Sequence, residues 1–245
     1  PVARSPDATA VVMFTSGTTG DPKGVRLTVG NFAASAVASA VRLGVTPDDR
    51  YLCCLPMYHM GGFATILRTT LYGTTLVVQP SFDAGLTASI IVEHSIVGVS
   101  LVPPQLRRLL DRGWSPPDYL RTVLVGGAPT PPALVERCEA AGVPIYPTYG
   151  ATETTSQITT ARPATAFEHP ATVGQPLLFT DVTVLRDGKP VAAGKTGEIV
   201  VDGPTVTPGY LDPERTAAAT GEHGLHTGDL GHRDEDGRLW VEGRL

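Results

Sequence analysis

The sequence predicts an α/β fold, with largely parallel sheet layers flanked by helices and then a small antiparallel β-barrel. Three observations carry that expectation. Short β-branched runs alternate with helical patterns over the first two thirds of the chain. Those runs are almost continuously apolar, as strands covered on both faces must be. After about Gln157 the texture changes to short alternating segments joined by Asp-Gly turns.

In chain order, strands are expected at "AVVMF" (10–14), "RYLCCL" (50–55), "TTLVVQ" (74–79), "VGVSLV" (97–102), "TVLVG" (122–126) and "PIYPTY" (144–149). Helices fall between them. "NFAASAVASAVRL" is alanine-rich behind Asn31, "AGLTASIIVEH" follows a capping Asp83, and "PPALVERCEAAG" starts on prolines and stops at Gly142. Further on, "DVTVLRDGKPV" reads as a hairpin turning at Asp187-Gly188, and "GEIVVDGPTVTPGY" and "HRDEDGRLWVEG" add more strands. The expected division is therefore an α/β core over 1–160 and an antiparallel β-rich subdomain over 161–245. The 42% hydrophobic content of the 245 residues is enough for a full core.

Charge narrows the function. Nineteen Lys and Arg stand against twenty-four Asp and Glu, a formal charge of -5 with no run of like sign, so neither nucleic acid nor an anionic membrane surface has an electrostatic case as partner. A small molecule is the expected partner, and self-association is left open. No apolar run reaches the roughly 18 residues of a membrane span, and "PVARSPDATA" does not read as a secretory leader. Cys53, Cys54 and Cys138 form no even framework of bridges, which fits reduced, buried thiols in a cytoplasmic protein.

Behind the first strand lies "TSGTTGDPKG", Thr15 to Gly24, dense in hydroxyls and glycines and carrying Lys23. Such a loop can wrap backbone N–H groups and hydroxyls around phosphate oxygens while the lysine adds charge. Its spacing is not that of the nucleoside-triphosphatase loop, because Lys23 is followed by Gly24. A flexible surface loop is the plain alternative.

"TSGTTGDPKGV" resembles the signature loop of the adenylate-forming family: acyl-CoA synthetases, luciferases and peptide-synthetase adenylation domains. The likeness continues in order through "LPMYHMGG" (55–62), "VLVGGAPTPPAL" (123–134), "YGATET" (149–154), "GEIVVDGPTVTPGY" (197–210), "HTGDLG" (226–231) and "GR" (243–244). The resemblance implies ATP, Mg²⁺ and coenzyme A. It assigns Thr15, Ser16, Gly17, Thr18, Thr19, Gly20 and Lys23 to the β- and γ-phosphates. Gly126, Gly127 and Ala128 become a backbone shelf along the adenine, with Tyr149 stacked on the base and Gly150 beside it; a strand-to-helix turn with a core tyrosine is the alternative. Thr152 is implied to bond the α-phosphate and Glu153 to position Mg²⁺, Asp229 to accept from the ribose hydroxyls, and Arg244 to reach the same sugar. Members also carry a catalytic lysine in a domain after "GR" and a long segment before the phosphate loop. The expectation is thus the middle portion of the large domain of such an enzyme, and Lys23 is not taken to replace that lysine.

The reaction implied follows from charge. A carboxylate is already ionised at neutral pH and needs no general base to attack the α-phosphorus; the protein must bring two anions together and stabilise the leaving pyrophosphate. The acyl-adenylate would then be opened by coenzyme A to a thioester.

Which acid is activated turns on "MYHMGG" and the helical segment after it. His59 resembles the residue that walls the acyl pocket in many members, or else it packs at a strand-to-helix corner. Phe63, Ile66, Leu67 and Leu71 form an apolar stripe, which leaves Gly61, Ala64, Thr65 and Arg68 on another face. Arg68 there either holds a second substrate carboxylate bidentately or is a solvated surface arginine. "YGATETTSQIT", "ILRTTLYG" and "FDA" resemble most the o-succinylbenzoate–CoA ligase subfamily, whose aromatic dicarboxylate would engage Arg68 and the hydroxyls of Thr155 and Ser156. "HMGG" departs from that subfamily's wording at Gly61. Medium-chain or aryl acid–CoA ligase is the runner-up, and a non-catalytic nucleotide-binding module the rival of another class. His223, His226 and His232 also have the look of a zinc site, but the aspartate motif already accounts for their segment.

Overall fold

The computed structural model describes residues 4–15 and 21–245. Its first two strands, β1 (Thr9–Thr15) and β2 (Lys23–Thr28), pair antiparallel as a separate two-stranded ladder that ends on the Thr15–Lys23 pair. This corrects the expectation that "AVVMF" joins the parallel sheet. Met13 is buried while Val12 and Phe14 on either side are exposed, a one-faced burial that a doubly covered strand does not have. Thr28 then caps α1 (Val29–Leu43): its hydroxyl accepts from the Asn31 N–H while the Asn31 side chain accepts from the Thr28 N–H. That box starts the helix at Val29, ahead of the expected Asn31.

The main sheet follows from the apolar runs. Its elements are β3 (Arg50–Cys53), α2 (Met60–Tyr72), β4 (Thr75–Val78), α3 (Ala84–Glu93), β5 (Gly98–Leu101), α4 (Pro103–Leu110), β6 (Thr122–Val125), α5 (Pro132–Ala140), β7 (Ile145–Ala151), β8 (Ser156–Thr160), α6 (Pro163–Glu168) and β9 (Gln175–Pro176). The strand order is β4-β3-β5-β6-β7-β8-β9; the first five run parallel and the last two turn antiparallel. β5 and β6 are buried along their whole length, and Val99, Leu101, Val123 and Val125 form the core with Leu106 and Leu109 of α4 and Ile145 of β7. Helix α3 starts where Asp83 accepts from the Leu86 N–H.

The second layer is a curled antiparallel sheet: β10 (Asp181–Arg186), β11 (Lys189–Pro190), β12 (Gly197–Asp202), α7 (Pro213–Ala219), β13 (Thr220–Gly221), β14 (Gly224–Arg233) and β15 (Leu239–Arg244). Its order is β11-β10-β12-β14-β13, with β15 also on β14. Asp187 and Gly188 both have positive φ, 52° and 73°, the geometry a two-residue hairpin turn requires. Ile158 of the first sheet packs into the core of the second with Val182, Ile199, Val201 and Leu239. Asn31 of α1 donates to the carbonyls of Pro204 and Val206. Among the described residues no helix is long and apolar enough to cross a membrane.

Candidate active site

Strands β3, β5, β6 and β7 are parallel, so their carboxyl ends lie along one edge of the sheet, where α/β folds place their ligands. A cavity of about 420 Å³ opens there, lined by residues that follow each strand: His59, Gly61 and Gly62 after β3, Val102 after β5, Gly126 and Gly127 after β6, and Gly150 and Thr152 at the end of β7. Two glycines are dictated by this geometry. Gly127 sits at φ +77°, and a Cβ on Gly150 would lie 1.6 Å from the Ser156 carbonyl oxygen across the β7–β8 pair.

On the nucleotide side, β1 and β2 set Thr15 opposite Lys23, so both ends of the hydroxyl-rich loop are fixed. Ser16, Gly17, Thr18, Thr19 and Gly20 lie outside the described residues. The Lys23 ammonium stands 5.8 Å from the ring centre of Tyr210, and the Tyr210 hydroxyl donates to Glu153 Oε1 at 2.9 Å. Burial, and next the Glu153 charge, push the Tyr210 phenol well above its ordinary pKa and keep it a donor. Thr152 and Glu153 begin a short 3₁₀ turn after β7; Thr152 lines the cavity, and Glu153 is held beside it by Tyr210. Sequence reasoning took Tyr210 only as the last letter of a motif. Nothing in the chain signals a bond between residues 57 positions apart.

Tyr149, Asp229 and Arg244 come together although they are far apart in the chain. β14 and β15 pair Asp229 with Arg244 in register, the guanidinium donates to Asp229 Oδ1 at 2.8 Å, and the Tyr149 hydroxyl donates to Oδ2 at 2.6 Å. The Tyr149 phenol is raised by burial and then by the bond to Asp229, and Arg244 is raised by its bond to the same carboxylate. An ionised carboxylate has about four acceptor positions, so Asp229 keeps capacity for sugar hydroxyls. Ala128 is exposed and lies outside the cavity lining.

At the inner end stands Arg68. It projects from α2 on the side of Ala64 and Thr65, it is 8% exposed, and its Nη2 donates to Ser156 Oγ at 2.9 Å. The solvated alternative is thereby removed. Among the described residues no carboxylate pairs with it, and its Nε is buried without a partner. Burial pulls its pKa down, yet a guanidinium stays charged in proteins, which leaves an uncompensated cation on the cavity wall. Successive residues Thr155 and Ser156 take positive φ, and they diverge. Ser156 lines the cavity, whereas Thr155 is 1% exposed, outside the lining, with its hydroxyl donating to the Thr205 carbonyl at 2.7 Å. His59 occupies the N-cap of α2, makes no side-chain cap bond, and is exposed at the rim with its ring 4.5 Å from that of Tyr58.

Among the described residues no three His, Cys, Asp or Glu side chains are grouped to hold an ion; His226 bonds Glu198 and His232 bonds Glu242. Mg²⁺ needs only one or two carboxylates when phosphates and water complete its octahedron, and Glu153 beside Thr152 fits that need. Cys53, Cys54 and Cys138 are buried and free, and burial pushes the Cys54 and Cys138 thiols up to about 12.

The AMP-binding enzyme family matches residues 1–211. The 2-succinylbenzoate–CoA ligase of Bacillus cereus (strain Q1) is 42% identical over 233 residues, covering 94% of this chain and 48% of that protein. Among solved structures, o-succinylbenzoate CoA synthetase from Bacillus subtilis in complex with the acyl-adenylate intermediate OSB-AMP superposes with a TM-score of 0.95 at 39% identity, over 98% of this chain and 50% of that one. The same synthetase in complex with ATP and magnesium ion gives 0.94 at 39% identity, over 98% and 51%. This chain therefore spans about half the length of the relatives it matches. With a family match over most of its length, the chain belongs to the AMP-binding enzyme family.

Proposed function

We propose that the intact protein is an AMP-forming acid–CoA ligase that converts o-succinylbenzoate to its acyl-adenylate with ATP and then to the CoA thioester, in menaquinone biosynthesis in the cytoplasm. The observation that carries the choice of acid is Arg68, a buried cation without a carboxylate partner on the wall of the cavity. An aromatic acid with a second carboxylate supplies the missing charge, while its reacting carboxylate lies toward Thr152. The 42% identity to a 2-succinylbenzoate–CoA ligase supports the same reading, and the three buried, free thiols fit a reducing compartment.

In this reading the phosphate-loop residues Thr15 to Gly20 and Lys23 bind the β- and γ-phosphates. Tyr149 stacks on adenine along Gly126, Gly127 and Ala128. Asp229, steadied by Tyr149 and Arg244, takes the ribose. Thr152 donates to the α-phosphate, and Glu153 holds Mg²⁺, which supplies charge neutralisation on the phosphates when bound. Attack needs no general base, so the residues act by positioning and by stabilising charge. His59 closes the rim of the acyl cavity, and Ser156 orients Arg68. An aryl acid–CoA ligase is the second reading, favoured by Leu55, Met60, Leu101 and Leu124 on the same lining.

The test is pyrophosphate release by the intact protein across a panel of acids. Preference for o-succinylbenzoate over benzoate and over medium-chain acids is expected; equal or better use of monocarboxylic acids would leave the ligase class standing and remove the dicarboxylate.

A further inference from the structure

Two cavities meet back to back at Arg68. The larger, of about 420 Å³, opens at the carboxyl edge of the main sheet. A smaller one, of about 40 Å³, lies at the amino edge, between the end of α1, the second half of α2 and the starts of β3, β5 and β6, with Leu43, Val45, Tyr72 and Val97 on its wall. Among the described residues Arg68 alone lines both.

The rest of the partition is also made of side chains. Tyr51 on the small side shares a hydrogen bond with Ser100 on the large side, 3.1 Å between oxygens, and Ser39 on the small side donates to Gln157 on the large side at 2.9 Å. Gly98 makes room for this wall, because a Cβ there would lie 2.4 Å from the Tyr51 ring. Along α2, Gly61 in the large cavity and Arg68 are seven residues apart, about 10 Å, and Tyr72 in the small cavity is one turn further in the same direction.

We propose that Arg68, with the Tyr51–Ser100 and Ser39–Gln157 contacts, is a septum across what would otherwise be one continuous acyl channel, so that Arg68 fixes the length of the acid as well as its distal charge. Longer linear acids are refused because the channel stops at the guanidinium, and the cavity beyond is its blocked continuation. This rests on the ligase reading above and adds to it a determinant of length that is separate from charge.

The two roles part in two variants of the intact protein. Arg68→Met removes the charge and keeps most of the length of the wall; Arg68→Ala removes both. The ratio of kcat/KM for decanoate to that for butyrate is expected to rise about 10-fold or more in Arg68→Ala and to stay near wild type in Arg68→Met, in line with the discrimination an apolar pocket gives for added methylenes. Equal ratios in the two variants would overturn the septum. Use of o-succinylbenzoate is expected to fall in both, and if it does not, the dicarboxylate reading fails while the ratio still reports on length. Should Arg68→Ala not fold, Tyr51→Ala breaches the same wall with the arginine in place and is expected to raise the ratio; no rise overturns the proposal. Crystals of either breached variant grown with decanoate give a reading independent of turnover: a chain running past residue 68 supports the septum, and a chain folded back within the first cavity contradicts it.

Discussion

Two arginines, Arg68 and Arg244, sit at opposite ends of the candidate site and are treated in opposite ways. Arg244 has a side chain 66% exposed and is already matched to Asp229, its cross-strand neighbour, whose own side chain is 15% exposed. Arg68 is buried, and among the described residues it bonds only the neutral Ser156 hydroxyl and has no anion. The two charges serve different ends. A paired charge on the nucleotide face holds a neighbouring group in position, so its partner is internal. A buried charge left unpaired is destabilising to the empty fold, and a ligand of opposite sign relieves it.

The largest expected effect lies on the nucleotide side. Glu153→Gln, which keeps an acceptor for Tyr210 and removes the charge, is expected to lower acid-dependent pyrophosphate release about 10²-fold for every acid alike, as loss of a charge-stabilising group commonly does. A loss confined to one class of acid would place Glu153 with the acyl group instead and break the comparison.

A smaller and selective loss is expected when Arg68 is given a partner from within. Ser156→Asp puts a carboxylate where a hydroxyl now accepts from Nη2, which makes the inner end resemble the Asp229–Arg244 pair. Activity with o-succinylbenzoate should fall by about 2 kcal/mol or more, roughly 30-fold, with benzoate-like monoacids little changed. Uniform slowing of both would show that residue 156 acts on shape alone.

Stability separates the members of the nucleotide-side group by a narrower margin. Tyr149→Phe removes a largely buried donor from a carboxylate and is expected to cost about 1.5–3 kcal/mol in denaturant unfolding. Arg244→Ala breaks an exposed ion pair and should cost less than about 1 kcal/mol. The reverse order would mean that Arg244, rather than Tyr149, anchors Asp229.

How much of this was legible in the sequence depended on whether a feature is local. The strands β3 to β7 were visible because each is a short apolar run, and the Asp187-Gly188 turn because its two residues tolerate positive φ. Thr28 escaped as a cap, and β2 escaped altogether because lysine, glycine and arginine break up "KGVRLT", which becomes a strand only by lying against β1. The same distinction holds in the site. Motif residues such as Thr152, Glu153 and Asp229 were named from their local wording. Tyr210 as the holder of Glu153, and the diversion of Thr155 to the Thr205 carbonyl, depend on residues about 50 or more positions away and on the left-handed turn at 155–156. For Arg68 the sequence left two alternatives, because the small-residue face of α2 does not say what packs against it. Burial beneath β8 decided between them.

Arg68 as the receiver of a second carboxylate is tested most directly by a double comparison. The kcat/KM values for o-succinylbenzoate and for 4-oxo-4-phenylbutanoate, which keeps the side-chain carboxylate and carries hydrogen in place of the ring carboxylate, are measured with the intact wild-type protein and with Arg68→Ala. A preference for the dicarboxylate in the wild type that shrinks by about 2–5 kcal/mol in the variant is the expected result. The same preference in both proteins, or none in the wild type, would contradict it.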